Sequence, residues 1–224
     1  MITSIIFDLD GLLADTEKLH CLAYQTAMKE HGFALSELDY AEHWVRRGDG
    51  ISDWLTARNL AIDPASVRAR KAVHYLDLLV TSLRPMQGAL ELLTTLRGTM
   101  RIALASSSYR DAVDGVLAGL NIANFFEVIV SGLDVTRVKP APEIFLKAAD
   151  LLGVAPAHCL VVEDAEKGII AAHCAGIRSI AVPNDYTRHH DFSKATRICN
   201  SLTEITRELL QSLDDLPVRQ GVVD

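Results

Sequence analysis

Ile5-Ile6-Phe7-Asp8-Leu9-Asp10-Gly11-Leu12-Leu13-Ala14-Asp15-Thr16 is the stretch on which the fold of this chain turns. Its apolar, β-branched start predicts a buried strand, and the glycine after the second aspartate predicts the turn that ends it. Carboxylates two residues apart on a strand share a face, so Asp8 and Asp10 are expected to reach one site. Two anions that close repel unless a cation or a shared proton lies between them. A carboxylate set among isoleucine, phenylalanine and leucine is also costly to bury without a partner. Metal-assisted phosphoryl transfer needs such an arrangement. Asp15 or Thr16 equally suits the plainer role of capping the helix that follows.

From Thr16 to about Leu83 the pattern is helical, with Leu19, Leu22, Ala23 and Thr26, and later Val73, Leu76 and Val80, recurring at helical spacing. Gly32, Gly48-Asp49-Gly50 and Asp63-Pro64 divide this stretch into several helices. Beyond Arg84-Pro85, helices alternate with short apolar runs. Strands are predicted at Arg101 to Ala105, Val128 to Val130, Cys159 to Val162 and Ser179 to Val182. Helices are predicted from about Ala89 to Leu96, Tyr109 to Leu117, Pro142 to Leu152, Lys167 to Ala175 and Thr203 to Leu213. Such alternation implies an α/β fold: a Rossmann-like parallel sheet with helices on both faces. The expected organisation is a core of residues 1–15 and 84–213, an inserted all-helical cap of residues 16–83, and a polar tail, 214–224.

The 224 residues suffice for one large domain with an insertion. A hydrophobic content of 49% fits a sizeable core, and a net charge of -7 argues against nucleic-acid binding, which needs a basic footprint. Cys21, Cys159, Cys174 and Cys199 form no Cys-x-x-Cys pair, so free thiols in a reducing compartment are expected. With no leader before the first strand and no bilayer-length apolar run, a cytoplasmic protein without membrane contact is expected. The expected assembly is a monomer or weak dimer.

In open α/β sheets, ligands bind at the carboxyl ends of the strands. Polar residues collect at those ends: Asp8 and Asp10, then Ser106-Ser107-Ser108, then Glu163-Asp164, with Lys139-Pro140 before another helix. An aspartate there can attack phosphorus, and a second carboxylate can protonate the leaving oxygen. Magnesium suits a sparse oxygen set completed by water and phosphate. Ser106 and the amides of the helix behind it can bind phosphate oxygens, while Lys139 supplies positive charge. Taken singly, each has a plainer role. Ser106 suits an N-cap, Lys139 a solvated loop, and Glu163-Asp164 the dipole of a helix N-terminus.

The four segments together resemble the haloacid dehalogenase superfamily of phosphohydrolases, in the subgroup with a helical cap. Asp8-Leu9-Asp10-Gly11, Ala105-Ser106-Ser107, Lys139-Pro140-Ala141-Pro142-Glu143 and Val162-Glu163-Asp164-Ala165 occur in the family's order and span most of the chain. The resemblance implies Asp8 as nucleophile, Asp10 as general acid/base, and Ser106 and Lys139 on the phosphate. It also implies magnesium on Asp8, Asp164 and the Asp10 carbonyl, with Glu163 helping. Ala165 departs from a frequent serine. An aspartate at position 10 is similar to the phosphatases and mutases, because a leaving alkoxide needs a proton.

Thr16 and His20 resemble a stretch of sugar-phosphate phosphatases and β-phosphoglucomutase, and Lys71 resembles a cap lysine of the mutase. Ser107, His20 and Lys71 are therefore candidate substrate-binding residues. The mutase arginine that grips a second phosphate corresponds to Ile51 here, and Arg46 and Arg47 read as solvated helix residues. The favoured function is hydrolysis of a small phosphorylated metabolite. A phosphomutase and a non-catalytic binding member are the alternatives.

Overall fold

The computed structural model describes residues 1–214 and 216, and most of the expected tail lies outside the described residues. Six strands form one parallel sheet: β1 (Ser4–Phe7), β2 (Arg101–Ala105), β3 (Val128–Val130), β4 (Cys159–Glu163), β5 (Arg178–Ala181) and β6 (Arg197–Ile198). Their order is β3-β2-β1-β4-β5-β6, so the strand order reverses between β1 and β4. Loops leaving two adjacent strands in opposite directions open a crevice at their carboxyl ends. The stretch quoted first therefore supplies the central strand and one lip of that crevice.

After β1 the chain makes an all-helical insertion: α1 (Glu17–Glu30), α2 (Glu37–Tyr40), a π-helical turn (Ala41–Arg47), α3 (Ile51–Ala57) and α4 (Pro64–Ser82). The α4 start is set locally, since the Asp63 carboxylate accepts the Ala65 and Ser66 amides and Pro64 takes the first position. The insertion has its own core of Ala27, Met28, Leu35, Ile51, Trp54, Leu55 and Val67.

Pleating sends Ile5 and Phe7 to one sheet face and Ile6 to the other. The first face is covered by α5 (Ala89–Leu96), α6 (Arg110–Leu120) and, further on, α9 (Arg207–Asp214), through Leu93, Val113, Val116 and Leu213. The second is covered by α7 (Glu143–Leu152) and α8 (Glu166–Cys174), through Ile144, Phe145, Ala148, Ala171 and Ala172. Burial on both faces explains why β1 and β4 read as continuous apolar runs. Among the described residues, no helix is long and apolar enough to cross a membrane.

Several local expectations are corrected. Helical spacing located α1 and α4 and found the buried Leu19 and Ala23 of α1, but Leu22, Val73, Leu76 and Val80 are exposed, while His20, Ala27, Val67, Tyr75 and Leu79 are buried. The stacking of Tyr75 on His20 turns that face of α4 inward, with ring centroids 4.0 Å apart. The last helix does not begin at Thr203. Ser201 accepts the Thr203 amide to make a short 3-10 turn, buried Ile205 breaks the run, and α9 starts at Arg207. Asp214, assigned to the tail, instead closes α9 and accepts the Ile2 amide. The two-residue edge strand β6 carried no apolar pattern to predict it, and both its residues are exposed.

Candidate active site

Phe7 pairs in register with Leu104 of β2 and Val162 of β4, so Asp8, Ala105 and Glu163 stand together one rung further on. Lys139 bridges that whole rung. Its Nζ donates to the Asp8 carboxylate, to the Ala105 carbonyl at 2.8 Å and to Glu163 Oε1 at 2.8 Å. Lys139 is fully buried, and although burial opposes its charge, Asp8 and Glu163 hold its pKa above the ordinary lysine value. The other Glu163 oxygen accepts the Asp164 and Ala165 amides, each at 2.9 Å. Gly168 faces this carboxylate from α8. A Cβ there would lie 1.9 Å from Glu163 Oε1, so only glycine fits.

Asp10 sits past the end of β1, and the turn rather than the strand pleat places it, through a bridge to Ala14. Its Oδ1 accepts Thr16 Oγ1 at 2.7 Å and His20 Nε2 at 3.0 Å. Its Oδ2 accepts Ser106 Oγ at 3.1 Å and Ser108 Oγ at 2.7 Å. Burial alone would raise its pKa, but His20, Ser108 and Thr16 outweigh burial and hold it well below the usual range. Thr16 thus makes no side-chain cap and serves Asp10 instead. Lys71 Nζ lies 2.7 Å from His20 Nδ1. An ammonium only donates, so Nδ1 accepts and the proton is assigned to Nε2, facing Asp10. Burial and Lys71 lower the His20 pKa, consistent with that neutral ring.

Asp164 is held by Asn184 Nδ2 at 2.8 Å, and the same amide donates to the Gly11 carbonyl at 3.0 Å. Gly11 has φ +78, and a Cβ would meet Asn184 and Asp164 at 2.6 Å. Asp8, Glu163 and Asp164 are buried, and each offers an oxygen within 4.8 Å of the others. Burial raises the Asp8 pKa to about 8, with Lys139 opposing and Glu163 and Asp10 adding. Asp164 is also pushed up, by burial and then by Glu163 and Asp8. One lysine does not offset three clustered carboxylates, so the donor set fits a hard cation.

All nine sequence-predicted site residues line or adjoin one cavity of about 480 Å³, walled on its far side by the insertion. Asp8, Asp10, His20, Lys71, Ser106, Lys139, Glu163 and Asp164 are joined through the contacts above. The Ser107 hydroxyl is buried without a partner, and Ser108 is the serine that joins Ser106 on Asp10. Arg46 and Arg47 are exposed and pair with Glu42, as a solvated helix would have them. Sequence reading missed Asn184, although it follows β5 at a strand's carboxyl end. It also missed Glu17, whose buried carboxylate accepts Tyr40 Oη at 2.6 Å, and Lys167, whose Nζ donates to the Trp44 carbonyl at 2.7 Å.

Residues 5–182 match the haloacid dehalogenase-like hydrolase family. The chain is 31% identical to the β-phosphoglucomutase of Bacillus subtilis, covering 98% of this chain and 99% of that protein. It is 29% identical to the fructose-1-phosphate phosphatase YqaB of Escherichia coli, over 80% of this chain and 95% of that one. The crystal structure of CbbY from Rhodobacter sphaeroides in complex with phosphate is similar at a TM-score of 0.84 and 28% identity, covering 91% of this chain and 96% of that one. With its four motifs meeting at one crevice and the family match extending from β1 to the end of β5, this chain belongs to the haloacid dehalogenase-like hydrolases.

Proposed function

We propose that the protein is a magnesium-dependent phosphatase acting on a small phosphorylated metabolite through an aspartyl-phosphate on Asp8. The observation that carries this reading is geometric: Asp8, Glu163 and Asp164 offer oxygens within 4.8 Å of one another beside Lys139, in the chamber that Asp10 also lines. Asp8 stands among the carboxylates that suit a metal, whereas Asp10 is bonded to the His20 ring, so the two suit different roles. Magnesium, held by Asp8, Asp164 and the Asp10 carbonyl with Glu163 helping, would neutralise the carboxylates and the phosphate charge.

An Asp8 oxygen forms a bond to phosphorus as the phosphorus–alkoxide bond breaks. Lys139 and Ser106 hold phosphate oxygens. In the resting site Asp10 is ionised, so the proton for the leaving oxygen arrives through His20: Nε2–H passes to Asp10 while Nδ1 takes a proton from Lys71. Asp10 then protonates the alkoxide. In the second half, Asp10 accepts a proton from the water that attacks the aspartyl-phosphate, releasing phosphate and free Asp8, and that proton returns through His20 to Lys71 to restore the resting site.

Residues 16–83 act as a cap over a core of 1–15 and 84–213, excluding bulk water during the first step. A phosphomutase is the second reading, motivated by the β-phosphoglucomutase relative. Against it, Ile51 is buried and apolar where the mutase carries its phosphate-gripping arginine.

A panel of sugar phosphates, phosphoglycolate and nucleotides with magnesium tests the choice. Phosphate release from a sugar phosphate or phosphoglycolate, abolished by chelation, is expected. No release, together with efficient isomerisation of a hexose 1-phosphate, overturns the phosphatase. Asp8→Asn is expected to abolish turnover with circular dichroism unchanged, and retained turnover refutes the nucleophile.

A further inference from the structure

Among the described residues four cationic side chains line the chamber, and three are committed. Lys139 serves Asp8 and Glu163, Lys71 serves His20, and Lys167 serves the Trp44 carbonyl. The fourth is Arg68. It donates to Ser52 Oγ at 3.2 Å and makes no ion pair among the described residues. The carboxylates on nearby walls make bonds to other groups and none to Arg68: Asp49 to His43 at 3.0 Å, Asp53 to the Gly50 amide at 3.0 Å, and Asp111 to the Ala112 amide at 2.8 Å. A half-buried guanidinium with most of its five donors unspent is poorly satisfied until an anion meets it.

Its placement says where that anion lies. Arg68, Lys71 and Tyr75 share one face of α4, and Tyr75 stacks on the His20 that bonds Asp10. Seven residues along a helix span about 10 Å, so Arg68 marks the chamber end remote from the reacting centre. We propose that Arg68 is a specificity-determining residue that binds a second anionic group of the substrate. The preferred class is then a phosphate monoester carrying a distal carboxylate or second phosphate, either of which matches the planar guanidinium fork. This rests on the phosphatase reading for its reacting end only.

The test measures binding in magnesium with the Asp8→Asn protein, using fructose 1-phosphate, fructose 1,6-bisphosphate and 3-phosphoglycerate as probes. At least one doubly anionic probe is expected to bind about tenfold or more tighter than fructose 1-phosphate. Which of the two does so identifies the anion. Arg68→Gln should remove that excess, and Arg68→Lys should keep part of it. Arg70→Gln, on an exposed arginine paired with Glu30, is the control that should leave it intact. Equal affinity for all three probes, or an equal loss for all three in Arg68→Gln, overturns the proposal. If Arg68→Gln does not fold, Arg68→Lys carries the same comparison. Wild-type hydrolysis is read in parallel. Binding preference without any phosphate release sinks the phosphatase reading and leaves Arg68 standing, whereas release without preference does the reverse.

Discussion

Lys139 turns three strand ends into a site. A buried ammonium depends on its charged partners, and Glu163 and the Ala105 carbonyl would still hold Lys139 were the Asp8 charge removed. Lys71 occupies the opposite situation: burial lowers its pKa to about 8, with Asp10, Asp111 and Glu17 only partly offsetting. Two consequences of opposite sign follow. Between about pH 8 and the ordinary lysine value, the unfolded chain binds more protons at this position than the folded one, so its contribution to stability rises with pH. Activity is expected to run the other way, since the proton relayed through His20 is lost as Lys71 neutralises. The measured kcat should fall as pH rises through about 8, and Lys71→Arg should flatten that limb at a lower kcat. A wild-type kcat level to pH 9.5 would exclude the relay. Asp8, Asp10, Lys139 and Asp164 were legible in the sequence because each sits in a motif at a strand or helix end. Ser108 was visible only as one of three strand-end serines and Arg68 not at all, because their significance lies in what faces them after folding.

At the scale of elements, α8 shows how a backbone position can be set by a distant side chain. Gly168 lies within a helix, where glycine is disfavoured by roughly 1 kcal/mol against alanine. The Glu163 carboxylate fills the space its side chain would need, so the usual helix preference is reversed. Gly168→Ala is therefore expected to destabilise by about 1–3 kcal/mol, as overpacking does, despite alanine's better propensity. A denaturant midpoint equal to or above wild type would contradict this account. The elements most faithfully read from sequence were the unbroken apolar runs of β1, β2 and β4 and the single apolar stripe of α7. Where two stripes compete, as on α4, periodicity found the helix, and only the Tyr75–His20 stack chose its buried face. The π-helical turn at Ala41–Arg47 had no signal of its own. It places the Trp44 carbonyl on Lys167, joining insertion to core.

For the molecule as a whole, a cation held by the clustered carboxylates would stabilise the fold as well as serve the proposed reaction. A ligand bound only by the folded state at 100 times its Kd adds about 2.7 kcal/mol. For a chain of this size that corresponds to roughly 5–10 °C in Tm. Magnesium is expected to raise Tm on that scale, and Asp164→Asn to remove most of the rise. An unchanged wild-type Tm at saturating magnesium would show that the cluster does not hold the ion. The α/β architecture and the helical insertion were both visible in the alternation of apolar runs and helices. The clasp between them was not, because Lys167–Trp44, Arg46–Glu166 and Tyr186–Glu37 link residues far apart in the chain. The same insertion has a consequence for synthesis. The central strand leaves the ribosome well before its neighbour β4, which follows 155 residues later, measured from Ser4 to Cys159. At about 5–20 residues per second, Ile5, Ile6 and Phe7 wait roughly 8–30 s for their second pairing edge. The segment that founds the sheet thus keeps one edge unpaired until most of the chain has been made.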